Sequence, residues 1–177
     1  MKLTPFMERF ILHWGEMGTR WAVNRSVAQV HALLYLSPNP LHAEEIVETL
    51  GLARSNVSNS LKELQSWGLV KTIHVIGDRR DHFEALKDVQ EMFNRVIEGR
   101  RRREIEPTLT LLRDLSIEAE SDESVDPAMK KQIDEMLEFL DTMTTWYDTI
   151  RKLPNKTLMQ LVKLGDKVTK LLRLTHG

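Results

Sequence analysis

Two glycines punctuate the stretch from Leu41 to Leu86 and leave it little freedom in how it folds. Before Gly51, the run His42 to Leu50 carries Ile46, Val47 and Leu50 at helical spacing. After it, Ala53 to Trp67 reads as a second helix. Val57, Leu61 and Leu64 fall at i, i+4 and i+7 on its buried stripe, and Leu52 anchors the turn. Gly68 ends that helix. Leu69 to Ile76 and His82 to Leu86 are rich in β-formers, and Gly77-Asp78-Arg79-Arg80-Asp81 supplies the turn between them.

Helix, turn, helix and a hairpin with a basic tip are the layout of a winged helix-turn-helix. The face of the second helix opposite its apolar stripe holds Ser55, Asn56, Ser58, Asn59 and Lys62. Arg54 stands near the helix N-terminus, where a phosphate is favoured, and Glu63 is the only acid. Small polar side chains suit a helix that approaches an anion closely. Asn pairs with adenine N6 and N7, and Ser adapts to several bases or to phosphate. The bland reading is a solvated face that happens to be rich in Ser and Asn. At the tip, Arg79 and Arg80 lie between Asp78 and Asp81. One arginine there can enter a minor groove while the acids brace it; the bland reading is a self-neutralising surface turn. The combination is more specific than any part, and it makes double-stranded DNA the expected partner.

The flanks are helical. Leu3, Phe6, Met7, Phe10, Ile11, Trp14, Met17 and Trp21 mark an amphipathic helix, with a break expected between Gly15 and Gly18. It is a core helix, an arm for a second subunit, or both. Residues 26–36 follow, with Ser26 as the expected N-cap and Ser37-Pro38-Asn39-Pro40 as the stop. His42 takes the place of a Ser or Thr in a capping box with Glu45, so a weak cap is expected. A long helix is expected from Leu86 to Leu115. Its arginines 100–103 either touch DNA backbone or, the favoured reading, pair with Glu98, Glu104 and Glu106, and Pro107 kinks or restarts it. Glu118 to Asp126 reads as an exposed loop. Met129, Ile133, Met136, Leu140, Met143, Tyr147 and Ile150 then form a heptad seam. Pro154 ends that helix, and Asn155 caps a last one lined by Leu158, Leu161, Val162, Leu164, Val168, Leu171 and Leu172. A helical dimer interface is favoured over a monomeric hairpin packed on the long helix, since helix-turn-helix readers commonly bind half-sites in pairs. The expected architecture is mainly α with a small β-wing. Residues 1–86 form the DNA-binding domain with its arm helix, and residues 87–177 the long linker helix and a helical region for dimerisation and effector binding.

Composition narrows the chemistry. The 177 residues include no cysteine, which excludes disulfides, thiolate metal sites and a thiol nucleophile. The six histidines fall in different elements with no metal spacing, and no phosphate loop or nucleophile elbow appears. A surface site pairing His74 with His82 across the hairpin is weighed and set aside. No enzyme activity, cofactor or metal is expected. No apolar run approaches the ~20 residues of a membrane span, and no signal-peptide core opens the chain, so a cytoplasmic location is expected. The formal net charge is -1, so any positive surface for DNA must be local.

The run Gly51-Leu52-Ala53-Arg54-Ser55-Asn56-Val57-Ser58-Asn59-Ser60-Leu61-Lys62-Glu63-Leu64 is followed by Trp67-Gly68-Leu69-Val70. Beyond it come the hairpin Gly77-Asp78-Arg79-Arg80-Asp81-His82-Phe83 and Glu104-Ile105-Glu106-Pro107. Together these resemble the MarR-type winged-helix regulators, and more closely their GbsR-like branch, over residues 1–110. The resemblance implies a homodimeric transcriptional regulator, a repressor, with its second helix in the major groove and a wing arginine in the adjacent minor groove. By position, Ser55, Asn56, Ser58 and Asn59 would meet bases or phosphates, and Arg80 would be the arginine of the Asp-x-Arg pattern. Ala53 departs from the Ser or Thr that usually caps such a helix, at about 1 kcal/mol relative to a good cap. Some GbsR-like regulators sense quaternary ammonium compounds such as choline, which need aromatic faces around a cation. Trp14, Trp21, Trp146 and Tyr147 are the candidates for such an effector site, and each is also an ordinary core residue. The alternative to a DNA-binding regulator is a winged-helix module that grips a protein partner with the same surface, which the near-neutral charge also fits.

Overall fold

In the computed structural model the described residues are 2–154, 156–158, 160–161 and 163–165. The expected cap Asn155 and the last-helix positions Val162, Val168, Leu171 and Leu172 lie outside them. The elements in order are α1 (Pro5–Arg20), α2 (Arg25–Leu36), β1 (Leu41–His42), α3 (Ala43–Leu50), α4 (Arg54–Ser66), β2 (Val70–His74), β3 (Asp81–Ala85) and α5 (Val89–Arg100). A π-turn (Arg101–Ile105), α6 (Glu106–Ser121) and α7 (Pro127–Ile150) follow. The chain divides into two compact units, Met1–Gly99 and Arg100–Gly177. Among the described residues no helix is long and apolar enough to cross a membrane.

The first unit is built around α2. Val27, Ala28, Val30, Ala32, Leu33 and Leu34 are all buried, so this helix is apolar over most of its circumference, as a helix surrounded by others must be. Ile11 of α1, Ile46 of α3, and Val57, Leu61 and Leu64 of α4 close on it, with Leu69, Val70, Phe83 and Ala85 from the hairpin. The sheet order is β1-β3-β2, antiparallel throughout. β1 is only Leu41 and His42, opposite Phe83 and His82, and it joins the hairpin to the start of α3. Arg95 of α5 donates to the Gly68 carbonyl, which ties α5 to the end of α4.

Several local expectations change. α1 runs unbroken from Pro5 to Arg20. Its glycines permit close approach to α2: a Cβ on Gly18 would lie 2.6 Å from Ala28 Cβ, and one on Gly15 2.8 Å from Gln29 Cγ. The cap of α2 is Asn24, not Ser26; the Asn24 side chain accepts from the Ser26 N–H at 2.9 Å. The start of α3 has the heavy-atom geometry of a capping box. Glu45 accepts from the His42 N–H at 3.0 Å, and His42 Nδ1 lies 3.3 Å from the Glu45 nitrogen.

In the second unit α6 packs along α7, burying Leu109 and Leu112. α6 extends to Ser121, so the loop expected from Glu118 shrinks to 122–126. Asp126 then caps α7 through the Ala128 N–H at 2.7 Å. Ahead of Pro107, the helix widens into the π-turn. Proline removes one backbone donor and crowds the carbonyl four residues back, and a wider turn relieves that. Within the arginine run, Arg101 pairs with Glu106 at 3.1 Å and with Asp148 at 3.8 Å. The heptad seam of α7 splits. Ile133, Leu140, Tyr147 and Ile150 are half-buried, while Met129, Met136 and Met143 stay exposed beside Phe139 and Trp146.

Candidate nucleic-acid interface

α4 presents its two faces as its spacing predicts. Val57, Ser60, Leu61 and Leu64 are buried, and Arg54, Ser55, Asn56, Ser58, Asn59 and Lys62 are all exposed. Ser60 is the surprise, a hydroxyl in the core that the apolar stripe did not announce. The helix enters from the turn at Gly51, whose φ of +64° closes α3 in the left-handed conformation that glycine adopts without strain. Ala53 has extended backbone and no side-chain cap. The first intrahelical bond runs from the Val57 N–H to the Ala53 carbonyl at 3.1 Å. The N–H groups of Arg54, Ser55 and Asn56 therefore point out of the helix start with no partner among the described residues, at the positive end of the helix dipole. An anion is the natural acceptor there.

Arg54 reaches back to Glu44 at the start of α3. The backbone there, and then the Arg54 guanidinium, hold the Glu44 carboxyl below the usual carboxylate range. On the other flank Gln65 donates to Thr72 at 2.9 Å, fixing α4 against β2.

The hairpin carries the second group. β2 and β3 pair from Val70 opposite Ala85 to His74 opposite Asp81. Its tip turns at Gly77, φ +87°, and places Ile76 wholly in solvent. Arg79 is exposed and makes no side-chain hydrogen bond or ion pair among the described residues. Arg80 is held. Its Nε donates to both oxygens of Asp78, at 2.9 and 3.0 Å, and its Nη1 lies 2.8 Å from His42 Nε2. Hydrogen bonds from the Arg80 side chain and backbone keep the Asp78 carboxyl far below its usual range, and Asp78 in turn raises Arg80. His82 is buried behind this pair. Its Nδ1 is 3.0 Å from the Arg80 carbonyl, and its ring meets that of His42 edge-on at 5.6 Å. His74 faces Asp81 rather than His82. Among the described residues no group of three His, Asp or Glu side chains could hold a metal ion.

Exposed small polar groups on one helix and a fixed arginine on the adjoining hairpin thus belong to one unit. Residues 23–81 match the model of the MarR family. Over that stretch the chain is similar to the MarR family. That match takes in α2, β1, α3, α4, β2 and the wing tip, and it ends at the first residue of β3. The chain is similar to YvaV of Bacillus subtilis (strain 168), which bears the provisional name of an HTH-type transcriptional regulator. The two are 20% identical over 148 residues, 82% of this chain and 84% of that protein. It is also similar to a solved structure described as a transcriptional regulator. There the TM-score is 0.61 at 18% identity, covering 83% of this chain and 96% of the other. That likeness extends the agreement in fold beyond the winged helix.

The aromatic candidates for an effector site belong to other elements. Trp14 is half-buried, stacked between Phe10 at 5.3 Å and His31 at 6.5 Å, and Trp21 is exposed at the end of α1. Trp146 and Tyr147 belong to α7, in the second unit. Sequence reading missed His42, His82 and Glu44 as partners of this winged helix's arginines. The one signal was the alternation of charges around Asp78 and Arg80.

Proposed function

We propose that this protein is a sequence-specific DNA-binding transcriptional regulator acting as a homodimer, a repressor of the GbsR-like branch. The observation that carries the reading is the pairing of an uncapped, Ser- and Asn-rich α4 with a wing arginine held in place. Ser55, Asn56, Ser58, Asn59 and Lys62 line the major groove, Arg54 meets a phosphate, and Arg80, with Arg79 beside it, enters the minor groove. In this reading residues 1–86 bind DNA and residues 87–177 pair two copies. The exposed Met129, Met136, Phe139, Met143 and Trp146 on α7 support that pairing as unspent apolar surface. A small-molecule effector, a quaternary ammonium compound by the resemblance, would act through the candidate aromatics Trp14, Trp21, Trp146 and Tyr147.

Selecting genomic fragments with the purified full chain tests the whole reading. The expected yield is an inverted repeat bound in a salt-sensitive manner, with half-sites about one helical turn apart. Recovery of no enriched sequence and no salt-sensitive binding would point instead to a module that grips a protein partner.

A further inference from the structure

We propose that His42 is a positioning residue that locks the wing arginine to the helix-turn-helix, so that the two DNA-reading elements move as one; this rests on the DNA-binding reading above. Asp78 cannot serve that purpose. It lies on the same hairpin as Arg80 and fixes the guanidinium only relative to the wing. His42 is 38 positions away in the chain, at the junction of β1 and α3. Its ring is nearly enclosed, with 12% of the side chain exposed, and it is braced edge-on by His82, its register partner in the sheet.

The proton inventory makes the contact selective. A guanidinium only donates, so His42 Nε2 must offer its lone pair to Arg80 and the ring proton must sit on Nδ1. There it points to the Glu44 carboxylate, 3.2 Å away, and Glu44 also takes Arg54 from the start of α4. The result is one directional chain: Arg80 to His42, His42 to Glu44, and Arg54 to Glu44 from the other side. The opposite tautomer would set an N–H against Arg80, with the Glu45 carboxylate 3.5 Å from that nitrogen, and its Nδ1 would instead accept from the Glu45 N–H at 3.3 Å. Wing and helix cap therefore compete for a single lone pair, and the seated Arg80 decides the outcome.

The test uses the full chain in three forms of measurement. In DNA-free protein, imidazole nitrogen NMR shows His42 as the Nδ1–H tautomer, and Arg80→Ala moves it toward Nε2–H; a ring unchanged by Arg80→Ala overturns the proposal. His42→Leu weakens binding to the selected operator about tenfold, the scale of one charge-assisted hydrogen bond, while His42→Gln, whose carbonyl oxygen can still accept, stays within about threefold. Equal loss in both variants overturns it. The effect of His42→Leu vanishes in an Arg80→Ala background if His42 acts through Arg80, and persists if it only supports the fold. A parent chain that binds no DNA sinks the functional reading, and this role with it, even where the tautomer shift shows the contact itself. A parent that binds DNA without coupling between His42 and Arg80 sinks this proposal alone.

Discussion

The Lys87 ammonium donates to the carbonyl of Ser37 at 2.8 Å, and so ties the exit of the wing to the end of α2. It also takes the carbonyls of Leu34 at 2.8 Å and Tyr35 at 2.7 Å, and it lies 5.6 Å from the centre of the Tyr35 ring. These are the orphan acceptors of a helix C-terminus, and a cation is well suited to them. Replacing Lys87 by Met keeps most of the stem and removes the donors. Urea unfolding should show a loss of about 1–3 kcal/mol, with an unchanged m-value.

His31 makes the stability of the first unit sensitive to acid. It is buried between Trp14 and Tyr35, and its Nε2 has no hydrogen-bond partner among the described residues. Burial first, and then Lys87, push it from 6.5 down to about 4. Above 6.5 the ring is neutral whether the chain is folded or not, and there is no penalty. As pH falls from 6.5 toward 4 the unfolded chain takes up the proton and the folded one does not, so stability declines by roughly 3 kcal/mol. In His31→Phe, urea midpoints across that window should lose most of their slope. An undiminished slope would assign the effect to other groups.

Gly15 and Gly18 should respond differently to alanine. Gly18→Ala forces a Cβ to within 2.6 Å of Ala28 Cβ, which has no rotamer to escape into. The expected loss of about 1–3 kcal/mol from overpacking exceeds the gain of about 1 kcal/mol in helix propensity. At Gly15 the obstacle is chiefly the flexible Gln29 side chain, so the alanine variant should melt near the parent temperature.

On DNA, Arg80→Ala should weaken binding to operator and unrelated sequence alike, and reduce the salt slope by about 1. Asn59→Ala should leave that slope unchanged and relax preference at one base position, by about 1–3 kcal/mol. Titrations at several salt concentrations separate the two. If both variants bound like the parent, the assigned faces would be wrong.

The parts of the fold that were legible in the sequence are those governed by short-range periodicity. Val57, Leu61 and Leu64 announced the buried side of α4, and the β-branched run before Gly77 announced the wing. The rest is ambiguous where one residue type serves two purposes. Glycine lowers helix propensity, so Gly15 and Gly18 predict a break, yet here they make room for α2. Asn24 and Ser26 are both good caps, and only the backbone geometry decides between them. β1 is two residues long and has no pattern to detect. The bond between His42 and Arg80 depends on strands that meet only after folding, and no spacing in the sequence encodes it.

Ala53 gives the start of α4 a property that a serine there would hide. The amide hydrogens of Arg54, Ser55 and Asn56 have no acceptor within the described chain, so they should trade freely with deuterated solvent. Whatever settles against that turn will slow the trade at those three positions first. The start of α4 thus carries its own gauge of occupancy, legible by hydrogen exchange without a label or a known ligand.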